Sequence, residues 1–260
     1  MNAIEIVPTE FISHDERLRG NFVKPRGKGP FPGICKFHGL PGSADQVHGI
    51  ATKLAEEGFM VLTFDFRGFR ESEGIFSLSG EIDDAENAVT HLLDSGWVTK
   101  EWLGVYGASF GGAIAICSAA RDSRIRSICI RAPLYDTRRF AESGLSEFIL
   151  HEVADSGLDD MHGVEEPNMQ SEMLSALTRD ATIYNPMTAI SKITPRPILI
   201  ITGDSDALID VDGVTGLYAQ AGEPKELIVV EGADHNLSEE GPKSKTEKTV
   251  IEWFRRQVSF

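Results

Sequence analysis

The sequence predicts an α/β fold: a mostly parallel central sheet with helices on both faces, an antiparallel N-terminal hairpin and an inserted helical cap. Three observations carry this expectation. Short apolar runs recur from Gly33 onward, most are followed by stretches of helical spacing, and one interval from about Leu134 to Ile190 breaks that rhythm.

The hairpin comes first, where extended patterns at about 3–12 and 17–24 are separated by "SHDE". The runs "GICKF", "MVLTFDF", "WLGVY", "IRSICIRA", "PILIIT" and "ELIVV" then read as buried parallel strands. Parallel strands need crossovers and are apolar on both faces, which is why their runs are continuous rather than alternating. Covering helices are expected at about 45–57, 80–95, 110–121, 211–221 and 243–257. The last has an apolar stripe of Val250, Ile251, Phe254 and Val258. The interval 134–190 is too long for an ordinary connection. It holds the helical-looking clusters Phe140, Leu145, Phe148, Ile149, Leu150 and Met169, Met173, Leu174, Leu177, so it is expected to form a cap on a core of 1–133 and 191–260. Met161, Met169, Met173 and Met187 also lie there. Adaptable thioethers suit an acyl-binding surface as well as gap filling, which makes Met169 and Met173 candidate substrate contacts.

Composition narrows the function classes. The 260 residues carry 40 acidic and 25 basic side chains, a formal charge of -15 that disfavours nonspecific nucleic-acid binding. Cys35, Cys117 and Cys129 fall inside expected strands or helices and read as buried thiols. The N-terminal "MNAIEIVPTEF" lacks the blocks of a signal peptide, and no apolar run approaches ~20 residues. A soluble cytoplasmic protein without a membrane partner is expected, with room for a homodimer.

The chemistry is expected at "VYGASFGG". Gly107-Ala108-Ser109-Phe110-Gly111 matches G-x-S-x-G, and Ser109 falls between the strand "WLGVY" and the helix-compatible "FGGAIAICSAA". Glycines allow strand and helix to pack closely around such a turn, and the helix start offers partial positive charge to a developing anion. A dinucleotide-binding turn would need the middle glycine of G-x-G-x-x-G, which "GASFGG" lacks.

A serine hydroxyl needs a base and an orienting acid. Of seven histidines, His235 in "EGADHNL" follows the apolar run "ELIVV", at the sheet edge where catalytic groups collect. "ILIITGDSDALID" offers Asp204, Asp206 and Asp210 after the preceding strand. Asp206 is the expected acid, because a Gly-x-x-Asp loop returns the carboxylate over the strand end. Asp204 suits a turn and Asp210 a helix cap. An oxyanion hole requires backbone N–H donors, expected from Phe110 and from Leu40 in the loop His38–Gly42. His38 and Gly39 let the backbone approach closely and are candidate substrate-binding residues. No partner residue stands at metal-ligand spacing from His38.

Together these segments resemble the α/β-hydrolase superfamily over nearly the whole chain. "FHGLPGS" looks like its oxyanion loop, "DFRGFRESEG" like its D-x-R-G-x-G-x-S segment, "GASFGG" like its nucleophile elbow, "GDSDALI" like its acid loop and "GADHNL" like its histidine loop. Arg70 departs from the pattern, since that position usually holds glycine. With its insertion the chain is similar to small capped cinnamoyl and feruloyl esterases and to monoacylglycerol-lipase-like enzymes. The resemblance implies an α/β-hydrolase fold and a cofactor-free serine esterase acting on a small-molecule ester. A peptidase of prolyl-oligopeptidase type is the enzyme alternative, and a ligand-binding protein without catalysis is the non-enzyme one.

Overall fold

A computed structural model of the chain describes residues 3–43, 45–158 and 160–258; residues 1, 2, 44, 159, 259 and 260, which the expected core and cap include, lie outside it. Among the described residues eight strands form one sheet: β1 (Ile4–Ser13), β2 (Glu16–Pro25), β3 (Phe31–Phe37), β4 (Met60–Phe64), β5 (Val98–Ala108), β6 (Ser127–Arg131), β7 (Ile198–Gly203) and β8 (Lys225–Val230). Their order is β1-β2-β4-β3-β5-β6-β7-β8. β1 pairs antiparallel with β2, and β2 with β4, while every other pairing is parallel. This is the α/β-hydrolase architecture that the sequence predicts.

The apolar strand runs are explained by two cores, one on each face. Along β3, Ile34 packs on one side and Cys35 and Phe37 on the other; in β5, Tyr106 and Val105 divide in the same way. One face is covered by α2 (Leu78–Asp94), α3 (Phe110–Ala119) and α8 (Val211–Gln220), which bury Ile82, Ile114 and Leu217. The other is covered by α1 (Ile50–Glu56) and α9 (Glu240–Gln257), which bury Leu54, Trp253 and Phe254. Side chains alternate sides along a strand, so helices on both faces demand apolar residues at consecutive positions.

The helix α1 is shorter than expected from the spacing over 45–57. The Asp45 carboxylate accepts from the amides of Val47 and His48, and Gly49 has φ 78, so this stretch turns before Ile50. Short side-chain-to-backbone bonds compete with helical ones and favour a turn. At the other end, α9 begins three residues ahead of its expected start.

Between β6 and β7 the chain forms α4 (Thr137–Glu142), α5 (Leu145–Asp155), α6 (Pro167–Asp180) and α7 (Pro186–Ala189), followed by a 3₁₀ turn at Ile190–Ile193. Phe140, Leu150, Met173 and Leu177 join the core on the α2/α3 face. Cys35, Cys117 and Cys129 are free and buried, and burial pushes the Cys117 thiol up to about 12. Among the described residues no helix is long and apolar enough to cross a membrane.

Candidate active site

Ser109 sits between β5 and α3 with φ 55 and ψ -123, a conformation seldom adopted by a side-chain-bearing residue. Hydrogen bonds hold it there. Its amide donates to the Arg131 carbonyl at 3.0 Å, and its carbonyl accepts from the amides of Gly112 and Leu134, each at 2.9 Å. Backbone strain of this kind costs about 1–3 kcal/mol and persists only where the surroundings impose it. The flanking glycines have no substitute: a Cβ on Gly107 would lie 2.2 Å from the Gly111 carbonyl oxygen, and one on Gly111 2.4 Å from the carbonyl oxygens of Phe37 and His38.

The hydroxyl of Ser109 lies 3.0 Å from Nε2 of His235, and Nδ1 of the same ring lies 2.8 Å from Oδ2 of Asp206. The three residues come from the ends of β5, β7 and β8, which the parallel topology brings to one edge. Asp206 is held by its other oxygen, which accepts from the amides of Leu208 and Ile209 at 2.9 Å. Burial raises the Asp206 carboxyl, but the His235 hydrogen bond and these amides outweigh it and hold it below the usual carboxylate value. Its neighbours do other work. Asp204 accepts from the Gly232 amide at 2.7 Å, and Asp210 caps α8 through Gly213 while accepting from the Tyr135 hydroxyl.

Ser109 on its strained strand-to-helix turn thus meets His235 and Asp206 at the carboxyl ends of three parallel strands. The chain belongs to the Hydrolase_4 family, described as serine aminopeptidase, S33. Its family model matches residues 30–242. Among curated relatives, protein YfhR of Escherichia coli K12 is 28% identical over 235 residues, covering 87% of this chain and 72% of YfhR. The polyketide transferase grgF of a Penicillium species is 24% identical over 251 residues, 84% of this chain and 85% of grgF. Among solved structures, Est1E of Butyrivibrio proteoclasticus superposes with a TM-score of 0.76 at 18% identity, covering 96% of this chain and 98% of Est1E. This hydrolase thus shares its fold with proteins whose sequences have diverged widely.

The loop His38–Gly42, expected to carry one oxyanion donor, runs directly beside Ser109. A Cβ on Gly39 would come within 3.2 Å of the Ser109 Cβ. Leu40, Ser109, Phe110 and His235 line one small cavity together. As the first residue of α3, Phe110 has an amide among those that the helix itself leaves without a partner. His38 also borders the main cavity, yet both its ring nitrogens are engaged. The Phe66 amide donates to Nε2 at 3.0 Å, which places the proton on Nδ1, and Nδ1 donates to the Gly39 carbonyl at 2.7 Å. Burial pushes its pKa down to about 3, so the ring is neutral. His38 therefore pins the loop at the cavity's border, with both ring nitrogens already engaged.

Met169 and Met173 require a correction. Met173 is buried in the core shared with the sheet, and Met169 packs over Gly163. Neither lines the cavity of about 710 Å³ that opens at Ser109. Its apolar wall is made instead by Phe148, Ile149 and Val153 of α5, with Leu158 and Leu208. Met173 and Leu177 of α6 face inward, so the thioethers expected at a binding surface serve packing.

The family departure at Arg70 has a structural counterpart. Arg70 keeps the positive φ, 49, that favours glycine, and its side chain is anchored strongly. The guanidinium donates to Asp65 at 2.8 Å and to the carbonyls of Pro41 and Gly42 at 3.2 and 3.1 Å. Asp160 lies 3.1 Å from Nε, an ion pair whose angle makes no hydrogen bond. Arg70 thus ties the loop His38–Gly42 to the segment after α5. Sequence reasoning missed this residue's contacts, and it missed Lys36 and Arg131, which also line the cavity. The available signal was a charged residue at the carboxyl end of an otherwise apolar strand, in "GICKF" and "SICIR".

Proposed function

We propose that this hydrolase cleaves carboxylic esters of small or medium acyl or aromatic acids through an acyl-enzyme. The observation that carries the reading is the unbroken hydrogen-bond chain from Ser109 through His235 to Asp206. In this reading His235 takes the Ser109 proton as Oγ attacks the ester carbonyl, and Asp206 fixes the ring orientation and stabilises the imidazolium. The amides of Leu40 and Phe110 hold the tetrahedral oxyanion, each worth ~3–4 kcal/mol at the transition state. His235 protonates the departing alcohol, and water then attacks the acyl-enzyme with the same ring as base. No cofactor enters the scheme. Residues 134–190 act as a cap whose α5 supplies the apolar wall that excludes water and seats the acyl or aromatic group. The expected partner is therefore a small-molecule ester.

The description of the family favours one second reading, an aminopeptidase. Such an enzyme needs a carboxylate for the substrate ammonium. Of the acidic residues lining the cavity, Asp160 faces Arg70, Glu247 pairs with Lys53, and Glu152 is exposed. None is a buried, unpaired carboxylate, so the ester reading is preferred.

A fluorophosphonate probe tests the nucleophile: labelling is expected at Ser109 and lost in Ser109→Ala. p-Nitrophenyl esters of increasing chain length and methyl ferulate, run beside aminoacyl p-nitroanilides, then separate the two enzymes. A folded protein that takes no label would favour the ligand-binding alternative. Turnover of the anilides alone would overturn the ester reading.

A further inference from the structure

The cavity at Ser109 has two unlike lobes. One is the apolar wall of α5. The other descends along the α1/α9 face of the sheet and is lined by Lys36, Gln46, Tyr106, Arg131, Thr246 and Glu247. Strand register makes this a compact group. Lys36 stands opposite Tyr106 across β3 and β5, and Arg131 pairs with Ala108 across β5 and β6. Lys36 follows Ile34 by two positions and Arg131 follows Cys129 by two, so both point to the face where Ile34, Cys129 and Tyr106 pack. Two cations therefore flank a tyrosine at the carboxyl ends of three adjacent strands.

Neither cation has a carboxylate partner among the described residues. The Lys36 ammonium donates to the Gln46 backbone carbonyl at 3.2 Å and to its side-chain oxygen. Arg131 donates to the His235 carbonyl at 2.6 Å and also faces the Tyr106 hydroxyl oxygen, which leaves part of its five N–H groups for other acceptors. The nearby acids are already committed: Glu247 to Lys53, Asp65 to Arg70 and Asp45 to the His48 ring. Thr246, 2% exposed, has a hydroxyl with no hydrogen-bond partner among the described residues. Lys36 and Arg131 are both half-buried; holding cations partly away from water without a counter-ion is unfavourable, and in a chain of net charge -15 acidic residues are plentiful. Burial pushes the Lys36 ammonium down to about 8, and the more distant Asp65 and Asp45 offset only part of this.

We propose that this lobe binds a carboxylate carried by the substrate, so that the preferred ester has an anionic group on its acyl or its alcohol half. The reaction rests on the ester-hydrolase reading; the anion site does not. A carboxylate seated between Lys36 and Arg131 supplies the missing counter-ion, and the Tyr106 hydroxyl adds a donor. The same charges repel the free ammonium of a peptide N-terminus.

Matched substrates decide which half bears the charge. p-Nitrophenyl hexanoate against p-nitrophenyl hemiadipate compares acyl halves, and phenyl butyrate against 4-carboxyphenyl butyrate compares alcohol halves. In one pair the anionic ester should be favoured by about tenfold or more in kcat/KM, the scale of one hydrogen bond to a charged group. Lys36→Met should erase that ratio and Lys36→Arg should keep it. Calorimetric titration of Ser109→Ala with adipate reads binding without turnover, and should show saturable binding that weakens about tenfold when Lys36→Met is added. The native protein's substrate ratios and the adipate titration remain decisive even where Lys36→Met does not fold. Neutral esters turned over as well as both anionic ones, with no adipate binding, would overturn the anion site and leave the ester reading intact. Adipate binding that depends on Lys36 with no ester turned over would support the site and overturn the ester reading.

Discussion

Replacing Asp206 by asparagine should nearly abolish turnover while leaving its loop in place. Oδ1 of Asp206 holds the amides of Leu208 and Ile209, and Oδ2 faces Nδ1 of His235 at 2.8 Å. The asparagine carbonyl can keep the two amides, which turns its NH2 toward the imidazole. Two donors cannot face each other, so the ring moves its proton to Nε2. That nitrogen, 3.0 Å from the Ser109 hydroxyl, then donates where it must accept. The Asp206 side chain is 1% exposed, so little water is present to relieve the mismatch. The expected loss is ~10⁴-fold in kcat, the scale of a triad locked in the wrong tautomer, or about 5.5 kcal/mol of barrier. Steady-state kinetics on p-nitrophenyl butyrate would measure it, with Asp204→Asn and Asp210→Asn as controls. Those carboxylates bind Gly232, Gly213 and Tyr135 rather than His235, so the controls should lose stability before turnover. A melting temperature within about 5 °C of the parent would show that Asp206→Asn is folded. If that folded variant kept more than about a tenth of kcat, the tautomer argument would be refuted.

Two further predictions concern the scaffold. Gly111→Ala places a methyl 2.4 Å from two backbone carbonyl oxygens, of Phe37 and His38, and should destabilise by about 1–3 kcal/mol or more in urea unfolding. A change under about 0.5 kcal/mol would mean that the elbow is less tightly packed than described. Acid should weaken the fold through Asp206 and Asp210, the latter held low mainly by the Tyr135 hydroxyl. Both carboxyls titrate below the unfolded value of about 3.9, so their stabilisation is complete above it and fades as pH falls through the folded values. Urea unfolding between about pH 6 and 3 should show this slope, and Asp210→Asn should flatten it; an unaltered slope would count against the assignment.

Much of the architecture was legible because it follows from local pattern. Apolar runs such as "MVLTF" and "PILIIT" require cover on both faces, and glycines at 107 and 111 announce a turn that tolerates no side chain. The spacing over 45–57 predicts too early a start for α1, because the Asp45 carboxylate binds the local amides and makes a turn. The methionines of α6 were misread because a periodic apolar stripe reports that a face is buried, not what it is buried against.

The sequence by itself determined the strand and helix order, the sharp turn at Ser109 and the set of residue types able to move a proton, since each depends on neighbours within a few positions. Only the tertiary structure decided that His235 meets both Ser109 and Asp206, that His38 pins a loop, and that Lys36 and Arg131 share one cavity with no counter-ion among the described residues. Those meetings span crossovers of tens of residues. They are set by the order in which parallel strands pair, because that order selects which strand ends become neighbours.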